Sequence, residues 1–239
     1  MMHDDDRPFG SVLTRREVIG LLGAAGGAWL GRGSPAFAAT AGCVVRPAQT
    51  EGPYFVDEML NRSDLRKDST DGSVQAGVPL ELAIVVTRWA AGACAPLPDA
   101  QVDLWHCDVR GVYSGVKDPA FDTVGQKFLR GFQRTDATGR AQFTTIYPGS
   151  YPGRTVHIHF KIRPPAARQP GFEFTSQLYF DDLLTDRVFA ADPYAARGPR
   201  STRNEHDGSF RRNGAELLLT LEAGNGGYVG TFEMALEGV

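Results

Sequence analysis

The feature that most constrains the fold of this chain is a series of short apolar runs separated by turn-forming residues. The runs are rich in β-branched and aromatic residues and are bounded by Gly, Pro or Asp: 80–86, 101–106, 141–147, 155–162, 175–180, 216–221 and 228–236. Such runs are typical of β-strands, and no helical period separates them. The sequence therefore predicts an all-β fold, an antiparallel β-sandwich with long loops.

Two segments lack the strand pattern and are predicted to be loops. Residues 39–79 are rich in Gly, Pro, Asp and Ser and show no helical period. Residues 181–213 are polar and arginine-rich, and we expect a long excursion there with one short helix. The chain shows no internal repeat.

The first forty residues differ in character from the rest. Arg15 and Arg16 precede a short apolar segment that ends in Ala-Phe-Ala, and Thr-Arg-Arg-Glu-Val-Ile resembles a twin-arginine export signal cleaved after Ala38. An uncleaved membrane anchor is the alternative, although the apolar run is shorter than the about 20 residues that a span needs. We expect a signal peptide over 1–38, a mature domain over 39–239 that is not inserted in a membrane, and a periplasmic or extracellular location.

Three cysteines, Cys43, Cys94 and Cys107, belong to the expected mature domain. An exported protein meets an oxidising compartment, where two of them can form a disulfide. Three pairings are possible, and Cys43 with Cys94 is favoured only because Cys107 lies at the end of a predicted buried strand. No Cys-x-x-Cys spacing suggests a thiolate metal site.

Charge argues against a polyanionic partner. The 239 residues carry a formal net charge of −3 and contain no basic block, whereas nucleic-acid binding normally needs a Lys/Arg-rich face. We therefore expect a small-molecule partner and no nucleic acid. The sequence does not specify an oligomeric state.

Two histidines occupy alternate positions in the run 155–162. In a strand, His157 and His159 would share one face while Ile158 and Phe160 point into the core. Residues two apart lie about 6.6 Å from each other, so both rings can reach one metal ion. The pattern alone also fits a solvated histidine pair on an open sheet face.

Four segments, taken together, carry a resemblance to a known family. They are TEGPYFVDE (50–58), LPDAQVDLWHCDVRGVYSG (97–115), FLRGFQRTDATGRAQFTTIYPGSYPGRTVHIHFKI (128–162) and SQLYFDD (176–182). This chain resembles the intradiol ring-cleaving dioxygenases, which hold a non-haem ferric ion with two tyrosinates and two histidines. The resemblance implies that 39–239 is a catalytic β-sandwich with long active-site loops, which inserts both atoms of O2 into a catechol between its two hydroxyl-bearing carbons.

The resemblance assigns roles to particular side chains. The four expected ligands are two phenols and two imidazoles: Tyr113, Tyr151, His157 and His159. Tyr151, Arg154 and Gln177 are implied to be catalytic, and Tyr54, Arg154 and Gln177 to contact the substrate. The implied cofactor is Fe(3+), because anionic oxygen ligands stabilise the ferric state, and the implied partners are a catechol and O2. Only Pro152 and Gly153 separate Tyr151 from Arg154, fewer residues than the family generally places there.

Two other functions compete with this interpretation. A zinc hydrolase or lyase would need a third histidine, such as His106 or His206, beside His157 and His159. A non-catalytic sandwich module would have lost the metal. We expect His106 and Tyr147 to be structural and His206 to be a solvated loop residue.

Overall fold

The computed structural model describes residues 43–90, 92–166, 168 and 171–239. The predicted signal peptide, 1–38, lies outside the described residues. Within them, no helix is both long and apolar enough to cross a membrane.

Strands dominate the described chain, as the sequence predicts. The strands are β1 (Pro79–Ala90), β2 (Ala93–Pro96), β3 (Gln101–Trp105), β4 (Lys117–Asp118), β5 (Phe121–Asp122), β6 (Arg130–Arg134), β7 (Arg140–Ile146), β8 (His157–Arg163), β9 (Phe174–Tyr179), β10 (Leu221–Gly224) and β11 (Gly227–Glu237). The helices are α1 (Asp182–Phe189) and α2 (Gly208–Asn213), with short 3-10 turns at 195–197, 204–206 and 214–217.

Two sheets pack face to face. The first has β11 along one edge of β1 and both β7 and β2 along the other, with β10 beyond β11. The second has the order β6-β3-β8-β9 and is antiparallel throughout. A separate two-stranded hairpin joins β4 to β5. The β-sandwich prediction is therefore confirmed, with the difference that β1 and β11 pair in parallel.

The alternation in β8 separates its two faces as predicted. Ile158, Phe160 and Ile162 are buried in the core between the sheets, against strands that include β1 and β11. His157 and His159 point to the outer face of the second sheet, yet they too are buried. Another segment of the chain must therefore cover that outer face.

The cover is the segment 49–61, which we call the cover segment. It begins beside β9, where the Gln49 amide donates to the Thr175 carbonyl at 2.9 Å, and it ends beside β6, where Asn61 forms a bridge with Phe132. Between these points Phe55 packs on Trp105 of β3, with ring centroids 4.8 Å apart. This predicted loop thus crosses the whole second sheet and removes the histidine face from water.

The sequence prediction fails over 216–221. The segment is a 3-10 turn at 214–217 followed by an isolated bridge between Leu218 and Tyr179, and the strand β10 begins only at Leu221. Buried leucines at 217 and 219 mimic strand alternation, but they flank the end of a helical turn. The strands β2, β4, β5 and β6 were not predicted, because they are short or, in β6, rich in arginine and glutamine.

The disulfide prediction is confirmed. Cys43 and Cys94 are bonded, with 5.6 Å between their Cα atoms, and are 51 positions apart in sequence. Cys107 is a buried free thiol. The bond ties the start of the described chain to β2, so it holds the segment that leads into the cover segment.

Candidate active site

The histidine pair lies in the middle of the second sheet. His159 sits opposite Trp105 of β3 on one side and Gln177 of β9 on the other. The indole of Trp105 stacks on the His159 ring, with centroids 5.1 Å apart and planes 8° apart. Gly52 of the cover segment lies on the same ring so closely that a Cβ there would be 3.2 Å from His159 Cε1. His159 is thus held between a strand and the cover segment.

Two loops bring the predicted tyrosine ligands to the histidines. Tyr113 follows β3 in a loop organised by Asp108, whose carboxylate accepts the backbone N–H groups of Arg110 and Val112. Tyr151 lies in the loop between β7 and β8. A Cβ at Gly149 in this second loop would lie 2.3 Å from the Asp108 carbonyl oxygen, so only glycine permits the observed approach of the two loops.

Three of the four predicted ligands converge on the fourth, His157. Its Nε2 lies 3.5 Å from the hydroxyl of Tyr113, 3.2 Å from that of Tyr151 and 3.0 Å from Nε2 of His159. Tyr113, His157 and His159 are each at most 2% exposed, and Tyr151 is partly exposed. The structure therefore brings all four sequence-predicted ligands together, and Tyr151 is the one nearest to solvent.

The protonation of the imidazoles suits metal binding. His157 Nδ1 can only donate to the Thr155 carbonyl at 2.6 Å, which leaves the lone pair on Nε2 directed at the convergence point. Burial lowers the pKa of His157 to about 3, and burial followed by the neighbouring His157 lowers the pKa of His159 well below its usual value. Both rings are neutral at ordinary pH, which is the form that binds metals.

The phenols need a strong positive charge to ionise. Burial, followed by the neighbouring Tyr151, raises the pKa of Tyr113 well above its usual value, and burial raises the pKa of Tyr151 to about 12. Two neutral nitrogen donors and two phenols that ionise only beside a highly charged cation match the preferences of Fe(III), a hard ion. The four residues therefore fit a ferric ion.

Arg154 is held at the edge of this cluster. Its Nε donates to Asp207 Oδ2 at 2.8 Å, and its terminal nitrogen donates to Gln177 Oε1. Burial opposes the charged guanidinium, but the neighbouring Tyr151 and Asp207 raise the pKa of Arg154 above its usual value. The guanidinium is therefore a fixed cation beside Tyr151.

Asp207 is a site residue that sequence reasoning missed. It is fully buried, and its carboxylate also accepts the amides of Thr155, Ser209 and Phe210, which caps helix α2. It lies in the arginine-rich stretch 181–213, where we expected a long excursion and no site residue. The Asp-Gly-Ser sequence at 207–209 signals a helix start, but no local pattern links it to Arg154, 53 positions away.

Tyr54 of the cover segment forms a wall of the site. Its ring stacks on Tyr113 with centroids 4.4 Å apart and meets the edge of Tyr151 at 6.0 Å. The predicted substrate-contacting residues Tyr54, Arg154 and Gln177 thus lie around the four converging side chains. Between Tyr151 and Arg154, Pro152 and Gly153 are exposed, so this short turn lies at the protein surface beside the partly exposed Tyr151.

The histidines needed for a zinc site lie elsewhere. Both ring nitrogens of His106 are engaged, with Thr145 at 2.7 Å and the Cys107 carbonyl at 2.8 Å, and the His206 side chain is 66% exposed. Among the described residues, no group of three or more His, Cys, Asp or Glu could hold a metal. Tyr147 is packed in the core, with its hydroxyl on Thr185, as predicted.

Fold and site together define a β-sandwich protein with a buried cluster of two tyrosines and two histidines. Residues 50–205 match the family model described as Dioxygenase. The chain belongs to the intradiol ring-cleavage dioxygenase family.

Curated relatives share the central part of the chain. The protocatechuate 3,4-dioxygenase beta chain of Burkholderia cepacia is 35% identical over 61% of this chain and 65% of its own length. A chlorocatechol 1,2-dioxygenase of Pseudomonas sp. strain P51 is 30% identical over 57% of this chain and 55% of its own. The chain therefore spans less than two thirds of the length of these relatives.

Solved structures match more of the fold. An intradiol ring-cleavage dioxygenase from Tetranychus urticae is 28% identical, with a TM-score of 0.72 over 82% of this chain and 96% of that one. The dioxygenase domain of a dioxygenase and carbohydrate-binding protein fusion from Streptomyces sp. SirexAA-E is 33% identical, with a TM-score of 0.57 over 82% and 99%.

Proposed function

We propose that this protein is a non-haem Fe(III)-dependent intradiol dioxygenase. It would insert both atoms of O2 into a catechol and cleave the ring between the hydroxyl-bearing carbons to give a cis,cis-muconate-type diacid. Both oxygen atoms stay in the product, so the reaction needs no external reductant. The observation that carries the proposal is the convergence of two phenols and the neutral His159 imidazole within 3.5 Å of Nε2 of the neutral His157.

Tyr113, Tyr151, His157 and His159 would hold the ferric ion. When bound, that ion supplies Lewis acidity and orients the two catechol oxygens. His157 would be kept in the correct tautomer by the Thr155 carbonyl, and His159 in the correct orientation by Trp105.

The remaining chemistry falls to residues at the mouth of the site. Tyr151 is the partly exposed ligand, so its Oη is the group placed to take a proton from an entering catechol. Arg154, fixed by Asp207 and Gln177, would stabilise negative charge that develops on the substrate ring. Gln177 is itself fixed, because its Nε2 donates to the Thr50 carbonyl at 3.1 Å.

The relatives are named for protocatechuate and chlorocatechol. Their common element is a benzene ring with two adjacent hydroxyl groups, and we infer the same element in the substrate of this protein. Export by the twin-arginine route stays part of the proposal, and the Cys43–Cys94 disulfide supports it because such bonds persist in oxidising compartments.

The first test is a visible absorption spectrum of purified protein with its metal content measured. Tyrosinate coordination of Fe(III) predicts a broad red-brown band that shifts when catechol is added without oxygen. Tyr113→Phe is expected to lose the band and most of the iron, whereas Tyr147→Phe, which alters another buried tyrosine away from the cluster, is expected to keep both. A colourless wild-type protein with a full complement of zinc would contradict the proposal.

A further inference from the structure

One wall of the site carries a carboxylate. The hydroxyl of Tyr54 donates to Asp118 Oδ2 at 2.9 Å, and the Tyr54 ring stacks on the predicted ligand Tyr113. Asp118, which is partly buried, thus lies one tyrosine side chain away from the ligand cluster. It belongs to the hairpin of β4 and β5, where its other oxygen accepts the Ala120 amide at 2.9 Å.

The hairpin is fixed relative to Tyr113. The Thr123 hydroxyl, just after β5, donates to the Tyr113 carbonyl at 2.6 Å, and the Thr123 amide donates to the Val116 carbonyl at 2.9 Å. Phe121 of the hairpin packs against Tyr54, with centroids 6.2 Å apart. Asp118 therefore has a defined position on the wall.

Buried Arg130 fixes Tyr54, the hydrogen-bond partner of Asp118. Its guanidinium donates to the Tyr54 carbonyl at 3.2 Å and to the Ser114 hydroxyl at 2.8 Å, so it joins the cover segment to the Tyr113 loop. Arg154, on the other side of the cluster, is engaged by Asp207 and Gln177. The guanidinium groups of Arg130 and Arg154 are thus committed to protein partners.

The contact between Tyr54 and Asp118 has two consequences for a bound ring. The Tyr54 proton is committed to Asp118, so this hydroxyl cannot donate to a carboxylate on the substrate. The Asp118 carboxylate also repels a second negative charge nearby, and it attracts a hydroxyl or ammonium donor. Both effects weaken the binding of a catechol that carries an acidic substituent near Tyr54 and Asp118.

We infer that the Tyr54–Asp118 pair is a specificity determinant that selects uncharged catechols over catechols with a carboxylate on the ring. This inference rests on the proposed function and narrows its substrate class. For two unit charges about 8 Å apart in an effective dielectric constant of about 20 to 40, Coulomb's law gives about 1–2 kcal/mol, so the expected discrimination is about five- to thirtyfold.

The test compares two substrates of nearly equal shape, protocatechuate and its neutral analogue 3,4-dihydroxybenzamide, with iron-loaded enzyme. The wild type is expected to show a higher kcat/KM for the amide, and Asp118→Asn is expected to reduce the ratio of amide to acid about five- to thirtyfold. High salt should reduce the ratio in the wild type, since ions screen partly exposed charges.

Asp122→Asn is the matched control. It removes the same charge from the same hairpin, but Asp122 is 55% exposed and pairs with Lys117 at 3.4 Å. The ratio should stay at the wild-type value in this variant. A wild type that cleaves acid and amide equally well, or an Asp118→Asn enzyme with an unchanged ratio, would overturn the inference while leaving the proposed function intact. Failure of the wild type to cleave catechol itself would instead overturn the proposed function.

Discussion

At the scale of single residues, the site depends on side chains whose partners fix both orientation and charge. Thr155 links several of them, because its carbonyl accepts His157 Nδ1 and its amide donates to Asp207. Asp207 in turn holds Arg154. One buried carboxylate therefore sets the position of the cation beside Tyr151 and supports the backbone that orients a predicted metal ligand.

Arg154→Ala tests the role of that cation. We expect kcat to fall about 100-fold, as when one preorganised electrostatic group is removed. Iron content should be unchanged, because Arg154 is not among the four converging residues. Steady-state kinetics and metal analysis of the same preparation measure both quantities.

Arg203→Ala serves as the control for Arg154→Ala, since Arg203 pairs with Asp186 at 2.7 Å on the surface. Its kinetics and iron content should match those of the wild type. Equal losses of iron and of turnover in Arg154→Ala would show that the arginine is structural rather than catalytic.

At the scale of elements, the site exists because two loops and the cover segment meet over one strand. The loops at 107–116 and 147–154 touch through backbone atoms, with Gly111 packed on the Ser150 carbonyl and Gly149 on the Asp108 carbonyl. Neither contact leaves room for a side chain. The relative position of Tyr113 and Tyr151 is thus set by glycines that carry no chemistry themselves.

Gly149→Ala tests this arrangement. The new methyl group would meet the carbonyl oxygens of Asp108 and Val109 at 2.3 and 2.6 Å, and backbone atoms cannot rotate away. We expect a loss of about 1–3 kcal/mol in the free energy of unfolding, as for other overpacked sites. Iron affinity should fall as well, because the two tyrosine loops must separate.

Denaturant unfolding and iron titration give these two values. Gly208→Ala is the comparison, because a Cβ there would meet no atom within 4 Å other than those of its chain neighbours and its own helix backbone. Its stability should be equal or slightly higher, since alanine restricts the unfolded chain. Normal iron affinity in a destabilised Gly149→Ala protein would disprove the link between loop contact and ligand geometry.

At the scale of the whole molecule, the disulfide is expected to form only if the protein is exported. The bond between Cys43 and Cys94 closes a long loop, which stabilises the folded state by about 2–4 kcal/mol. It also ties down the chain just before the cover segment. An exported protein would gain this bond, whereas a chain retained in a reducing cytoplasm would lack it.

Replacing Arg15 and Arg16 together by lysine tests the export signal in a host with a twin-arginine route. We expect the wild type outside the cytoplasm with one free thiol per denatured chain, that of Cys107, and the variant inside the cytoplasm with three. Cell fractionation and thiol titration provide the measurements. Export of the double variant at the wild-type level would refute the twin-arginine prediction.

The sequence by itself determined local structure, which depends on residues that are close together in the chain. The alternation of 155–162 specified a strand with an apolar face and a histidine face, because side chains alternate along any strand. The motifs around Tyr113 and Tyr151 predicted which phenols meet those histidines, but only through their resemblance to the intradiol dioxygenases. Where local pattern misled, as at 216–221, buried leucines on either side of the end of a helical turn imitated strand alternation.

The tertiary structure alone decided which distant residues complete the site. Asp207 reaches Arg154 across 53 positions, and Asp118 reaches Tyr54 across 64. The parallel pairing of β1 with β11 and the course of the cover segment likewise bring together residues that are distant in sequence. The physical reason is that such contacts follow from the path of loops around a shared core, whereas a single sequence displays only the conformational preferences of each segment.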